Sequence, residues 1–184
     1  MYPGTCRAGL APGRAGRTWR VRTTPASIEF ADEVQGPQRQ RIEREVGDFV
    51  LKRADGFCAY QLAVVVDDAD GRITRVVRGA DLLHSTPRQI YLQRLLQLDT
   101  PAYLHVPIVV DAAGEKLSKQ TFAKPIATAS TSAALVEALT FLGQPPPAAL
   151  EGAAATEILQ WATTHWLQDA VPRRLGVYWT GTMV

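Results

Sequence analysis

Apolar residues fall into two kinds of spacing along this chain. Through the first 110 residues they alternate or run together in short stretches; later they recur every three or four positions. Trp19-Arg20-Val21-Arg22 alternates and predicts a short strand. Ile28-Glu29-Phe30 is a second candidate. Asp48-Phe49-Val50-Leu51-Lys52-Arg53 is a third, ended by the turn signal Asp55-Gly56. The strongest strand candidate runs from Tyr60 to Val66. Its Leu62-Ala63-Val64-Val65-Val66 segment is apolar on both faces, the pattern of a strand buried in a parallel sheet. Asp67-Asp68-Ala69-Asp70-Gly71 terminates it, and Ile73 to Val77 is another extended run. A helix follows, with Ser85 or Thr86 as N-cap, Pro87 at its first position and Ile90, Leu92, Leu95 and Leu96 inside. Asp99-Thr100-Pro101 stops it. Val106 to Val110 is the next buried strand, and Asp111-Ala112-Ala113-Gly114 turns the chain into Glu115-Lys116-Leu117-Ser118-Lys119-Gln120. Ser130-Thr131-Ser132 can cap a helix that reaches Leu142 and ends at Gly143. Pro145-Pro146-Pro147 is a stiff connection. Ile158, Trp161, Ala162, His165 and Trp166 then lie at helical spacing, up to Pro172. The last dozen residues carry no anchoring pattern, and residues 1 to 17 have no periodic face. No internal repeat is present. The coarse expectation is an α/β arrangement to about residue 110, followed by a small helical tail.

A chain of 184 residues can bury a sizeable core. Its net charge of +2 neither demands nor excludes nucleic acid, but the charge is uneven. Arg7, Arg14, Arg17, Arg20 and Arg22 crowd the opening segment with no acid among them, either as a solvated face or as a surface for phosphate. No apolar run is long enough to span a membrane, and the opening lacks the apolar core of a signal peptide. Two cysteines, Cys6 and Cys58, make no disulfide framework. A cytoplasmic location is the default. Cys58 reads as a small buried residue and not a nucleophile, with no basic partner placed near it by the sequence.

Two lysines flanking a serine in Lys116-Leu117-Ser118-Lys119 could neutralise charge developing on a departing pyrophosphate. Taken alone, the string reads first as a solvated loop. Its setting changes the picture. Four blocks occur in a fixed order: Asp48 to Asp68; Val77-Arg78-Gly79-Ala80-Asp81-Leu82-Leu83; Ser85-Thr86-Pro87-Arg88-Gln89; and His105-Val106-Pro107 leading into Gly114 to Gln120. Together they resemble the second half of the catalytic domain of a class I glutamyl-type tRNA synthetase. Lys116 to Gln120 matches that family's KMSKS-type loop. Three features resemble the branch that acts on queuosine in tRNA(Asp). Gln120 ends the loop block, residues 121 to 184 are too few for a large anticodon-binding domain, and Tyr2-Pro3-Gly4-Thr5-Cys6 is similar to a Tyr-x-x-x-Cys zinc half-motif.

The resemblance implies a fold: the C-terminal part of a Rossmann-type nucleotide-binding domain followed by a small helical tail. It divides the chain into residues 1–25 (remnant of a zinc-binding insertion and linker), 26–125 (second half of the catalytic domain) and 126–184 (helical region). It implies a cytoplasmic ligase that activates L-glutamate with ATP and Mg2+ and transfers it to queuosine at the wobble position of tRNA(Asp), acting as a monomer away from membranes. Tyr60 would contact the bound glutamate and Arg78 would hold one of its carboxylates. A guanidinium fork suits that task better than an ammonium. Lys116 and Lys119 would act in catalysis, Lys119 contacting ATP and Ser118 shaping the ATP loop. Without the resemblance, Tyr60 reads equally as a core aromatic and Arg78 as a surface partner of Asp67, Asp68 or Asp81. His105 reads as a packed strand-end residue, and Asp81 as a side-chain bond to the backbone of the Arg78 turn.

The sequence also departs from the family. A HIGH-type motif, which cradles ATP, is absent, and His84, His105 and His165 stand elsewhere. Tyr2 and Cys6 supply at most half of a four-ligand zinc site, so zinc is not expected on this chain alone. The reading is a truncated form without stand-alone activity. Two other readings remain: a fragment of a discriminating glutamyl-tRNA synthetase, and a non-catalytic remnant that binds tRNA through its basic opening.

Overall fold

The computed structural model describes residues 2–117 and 131–179. Its principal sheet has four strands in the order β3-β2-β6-β5, with β2 at Ser27–Asp32, β3 at Gly36–Arg41, β5 at Arg75–Gly79 and β6 at Ala102–Val106. β2 and β6 are parallel, with Asp32 opposite Tyr103. The chain divides into two compact units.

The first unit comprises Met1–Glu33, Pro37–Val76 and Leu82–Tyr103. Here β1 (Trp19–Arg20) pairs antiparallel with β4 (Val50–Lys52). The short helix α1 (Ile42–Glu45) follows β3. Helices α2 (Tyr60–Asp70) and α3 (Thr86–Leu96) pack together. The core joins Ile28, Ile42, Phe49, Val65, Ile90, Tyr91, Leu92 and Tyr103. Residues 60–66 are thus not the expected strand but the start of α2. A short apolar run does not by itself distinguish strand from buried helix. Only Val65 of the run is fully buried, while Val66 is 39% exposed, so the segment presents one face to the core rather than two. Packing against α3 overrides the strand preference of three consecutive valines. Pro87 lies in the first turn of α3, second rather than first because the helix begins at Thr86, and Ser85 makes no side-chain cap. A 3₁₀ turn at Ala80–Ser85 runs directly into the helix instead, and the Ser85 hydroxyl accepts from Gln61 Nε2 at 3.1 Å.

The second unit comprises Val34–Gly36, Val77–Asp81 and Leu104–Val184. Its strand β7 (Ile108–Val110) pairs in parallel with β8 (Gly176–Tyr178), residue for residue. The expectation of an unanchored carboxy-terminal segment fails here. Gly176 permits the close approach: a Cβ there would lie 2.7 Å from Val110 Cγ1. Helices α4 (Thr131–Phe141) and α5 (Ala155–His165) close on Leu139, Ile158 and Ala162. α4 ends near Gly143, as the sequence predicts, with φ of +75° and the Ala170 carbonyl where a side chain would stand. Buried Gln144 ties this turn to Leu167, donating to its carbonyl at 2.8 Å and accepting from its N–H at 2.9 Å. α5 begins at Ala155, where the Glu157 carboxylate accepts from the Ala154 N–H at 3.1 Å.

Candidate functional site

The second unit brings two of the expected site residues to defined partners. Half-buried Arg78, near the end of β5, donates from Nε to Nε2 of His105 at 3.0 Å. His105 lies in β6 and is completely buried. A guanidinium has no lone pair to offer, so Nε2 is the acceptor and the imidazole proton sits on Nδ1. His105 is therefore packed, as the sequence suggests, and it also orients Arg78. That second part went unseen because the two residues are 27 positions apart.

Lys116 is held in a built hairpin. The Asp111 carboxylate accepts from the N–H groups of Ala113 and Glu115, each at 2.9 Å. The Gly114 N–H reaches the Asp111 carbonyl at 3.0 Å, with Gly114 at φ of +82°. Leu117 N–H donates to the Val109 carbonyl at 3.2 Å. The Lys116 ammonium then meets Asp81 Oδ2 at 2.6 Å. Asp81 thus bonds the lysine rather than serving the backbone of the Arg78 turn. Gly79 makes room for this carboxylate, since a Cβ at Gly79 would come within 2.5 Å of Asp81 Oδ1. The pair is partly exposed, so the ammonium can exchange Asp81 for a phosphate at small cost. Ser118, Lys119 and Gln120 lie outside the described residues.

Tyr60 belongs to the first unit, as the opening residue of α2, and is 49% exposed. It is not a core aromatic. Its surroundings are fixed by polar bonds: Ala59 N–H donates to the Leu51 carbonyl at 2.8 Å, and Gln61 Oε1 accepts from buried Gln89 at 3.0 Å. The helix start thereby presents the phenol outward from a rigid base.

Tyr2 and Cys6 do come together, the tyrosine hydroxyl accepting from the Cys6 N–H at 2.7 Å. Hydrogen bonding to the Cys6 side chain pushes the Tyr2 phenol above its ordinary pKa. No group of three His, Cys, Asp or Glu side chains is gathered among the described residues, and the Arg20 guanidinium lies 4.2 Å over the Tyr2 ring. Two donors beside a fixed cation fall short of the four that a structural zinc site takes.

The sequence gives no hint of the strongest polar cluster in the first unit. Arg7 grips Asp48 bidentately, Nε to Oδ2 and Nη2 to Oδ1, both at 2.6 Å. Asp48 is 5% exposed and also accepts from Thr23 N–H at 2.8 Å and Thr23 Oγ1 at 3.1 Å. Arg7 extends to Glu43 at 3.0 Å. The Arg7 hydrogen bonds hold the Asp48 carboxyl far below the usual carboxylate range, despite its burial. Arg20 donates to the Asp48 carbonyl at 3.0 Å, and Arg22 to the Arg7 carbonyl at 2.9 Å. The Gly/Pro/Arg opening is therefore bound down by directional charge.

Arg78 thus stands on β5 and Lys116 in the hairpin that follows β7, in a fold whose sheet holds the parallel pair β2 and β6. The family model for "tRNA synthetases class I (E and Q), catalytic domain" matches residues 14–171, and the chain belongs to that family. Among its curated relatives, the glutamyl-Q tRNA(Asp) synthetase of Aromatoleum aromaticum is 59% identical over 175 residues, covering 95% of this chain and 55% of that protein. The proteins of the same name from Thiobacillus denitrificans (57% identity; 94% of this chain, 57% of that protein) and Geobacter sulfurreducens (52%; 93% and 56%) are also similar. The chain spans a little over half the length of these relatives. A crystal structure of glutamate-tRNA synthetase from Elizabethkingia anophelis superposes with a TM-score of 0.60 at 21% identity, covering 83% of this chain and 34% of that one. At that identity the likeness shows the fold alone.

Proposed function

We propose that this chain is the second half of the catalytic domain of a synthetase that joins glutamate to queuosine in tRNA(Asp). The observation that carries the reading is 59% identity, over nearly the whole chain, to a relative of that name. In the first step a glutamate α-carboxylate oxygen attacks the α-phosphorus of ATP. A P–O bond breaks, pyrophosphate leaves, and glutamyl-adenylate remains. In the second, glutamate passes to queuosine at the wobble position and AMP departs. Arg78, steadied by His105, is suited to hold a glutamate carboxylate, and Tyr60 to contact the same substrate. Lys116 is suited to leave Asp81 for the phosphates as charge builds on them, alongside Lys119 with Ser118 shaping that loop. The division into residues 1–25, 26–125 and 126–184, a cytoplasmic location and a monomeric state belong to the same proposal.

The test is glutamate-dependent ATP–pyrophosphate exchange without tRNA. It compares the 184-residue chain with the same chain joined to the amino-terminal part of the Aromatoleum protein. The chimera is expected to exchange and the chain alone is not, because its sequence holds no HIGH-type motif. Arg78→Ala should abolish exchange in the chimera. A folded chimera that exchanges only with another amino acid, or that charges the 3′ end of a tRNA instead of queuosine, overturns the reading.

A further inference from the structure

The ladder between β2 and β6 is carried past the end of β2 by a side chain. Asp32 stands opposite Tyr103, and the Glu33 N–H donates to the Tyr103 carbonyl at 2.9 Å. In a parallel ladder the bonds recur at every second residue of each strand, so the next pair along is residue 35 with the His105 carbonyl. The chain turns toward β3 here, with Gly36 at φ of +76°. The Gln35 side chain makes the bond: its Nε2 donates to the His105 carbonyl at 2.9 Å. The same nitrogen donates to the Arg174 carbonyl at 3.2 Å. Only the nitrogen end of the amide carries two donors, so two carbonyl partners fix which way the side chain faces. Packing holds all three segments beside this bridge. Val34, Leu104 and Val171 are buried together, and the Ile108 N–H donates to the Leu175 carbonyl at 3.0 Å just ahead of the β7–β8 pairing. One amide in the second unit thus ties β6 at His105 to the segment entering β8.

We infer that Gln35 is a positioning residue for Arg78, acting through His105. The His105 imidazole accepts from Arg78 Nε at 3.0 Å. A bond at Nε fixes the plane of a guanidinium, and with it the direction in which the two terminal nitrogens point. Bidentate recognition of a carboxylate depends on that plane. The completely buried imidazole moves only as β6 moves. Gln35 holds β6 at the residue that bears this ring, where the strand has left its β2 partner behind. The carboxy-terminal segment shares in the arrangement, because Arg174 takes the second hydrogen of the same amide. In its consequence for glutamate the inference rests on the proposed function; the mechanical link from Gln35 to Arg78 does not.

The experiment reads the Arg78 Nε–H by heteronuclear NMR in the full 184-residue chain, with no ligand present. The wild-type signal should show a scalar coupling across the N–H···N bond to His105 Nε2 and slow exchange with solvent. Gln35→Met keeps the length of the side chain and removes both donors. It should speed exchange of the Arg78 Nε–H by about tenfold or more, while the backbone amides of Leu139 and Ile158 exchange as before. Gln35→Glu, isosteric but without a donor at neutral pH, should behave as the methionine variant does. Gln35→Lys still donates to both carbonyls and should stay within about threefold of wild type. Unchanged exchange in the donor-less variants, equal quickening in the α4–α5 pair, or no rescue by lysine overturns the inference. In the chimera, Gln35→Met should raise the glutamate KM about fivefold or more and leave the ATP KM within about twofold. An equal rise in both overturns the glutamate consequence. A wild-type chimera that activates no glutamate overturns the proposed function instead, and the NMR result alone then decides whether Gln35 positions Arg78.

Discussion

The opening segment and the α4–α5 helix pair are both held in place, by opposite physics. Residues 2–22 bury little apolar surface beyond Val21; besides the pairing of β1 with β4 they are fastened by Arg7 on Asp48, with Arg20 and Arg22 on main-chain carbonyls. The helix pair is fastened by Leu139, Ile158 and Ala162, with Leu135, Val136 and Trp161 around them. Charge-assisted bonds are directional and depend on protonation. Apolar contact is indifferent to pH and scales with the area removed from water. The first mode holds a segment that has little apolar surface to bury. The second suits a region that need only stay together.

The comparison breaks most sharply at Ile158, which is fully buried between the helices. Ile158→Ala should cost about 3–4 kcal/mol in urea unfolding, the loss of transfer energy plus a cavity, with no dependence on pH. The next largest effect is Asp48→Asn, expected to cost about 2 kcal/mol at neutral pH by weakening a buried charge-assisted network. The sign of the pH dependence follows from a depressed carboxyl. The contribution of Asp48 is complete above the ordinary Asp pKa near 4 and is lost as pH falls toward its much lower folded value. Wild type and Asp48→Asn should therefore converge in stability as the medium is acidified below about pH 4. Parallel curves would show that the clamp does not depend on the carboxylate charge. The smallest stability effect belongs to the partly exposed Lys116–Asp81 pair, where Lys116→Ala should cost under about 1 kcal/mol. The same substitution should lower pyrophosphate exchange by the chimera at least a hundredfold, about 2.7 kcal/mol at the transition state. A large loss of stability with little change in exchange would make Lys116 a structural residue.

Local patterns were readable where neighbours in sequence decide the outcome. Pro87 marks the first turn of α3, Gly143 stops the α4 region, and Asp111 with Gly114 builds the hairpin that carries Lys116. The string of blocks from Asp48 to Gln120 also sufficed to point to the family later matched over residues 14–171. Residues 60–70 show where this stops. A run of valines flanked by aspartates satisfies strand and helix equally, and only the surface offered by α3 selects the helix.

The amino-acid sequence by itself determined the family, through blocks in a fixed order, and several turns and helix ends, through residues within a few positions of one another. The tertiary structure alone decided that His105 steadies Arg78, that Asp81 holds Lys116, that β8 lies along β7, and that Asp48 anchors an arginine 41 residues away. Each of these joins groups far apart along the chain. Which distant carboxylate, ring or strand arrives beside a given residue depends on the packing of the intervening core, and no local pattern encodes that.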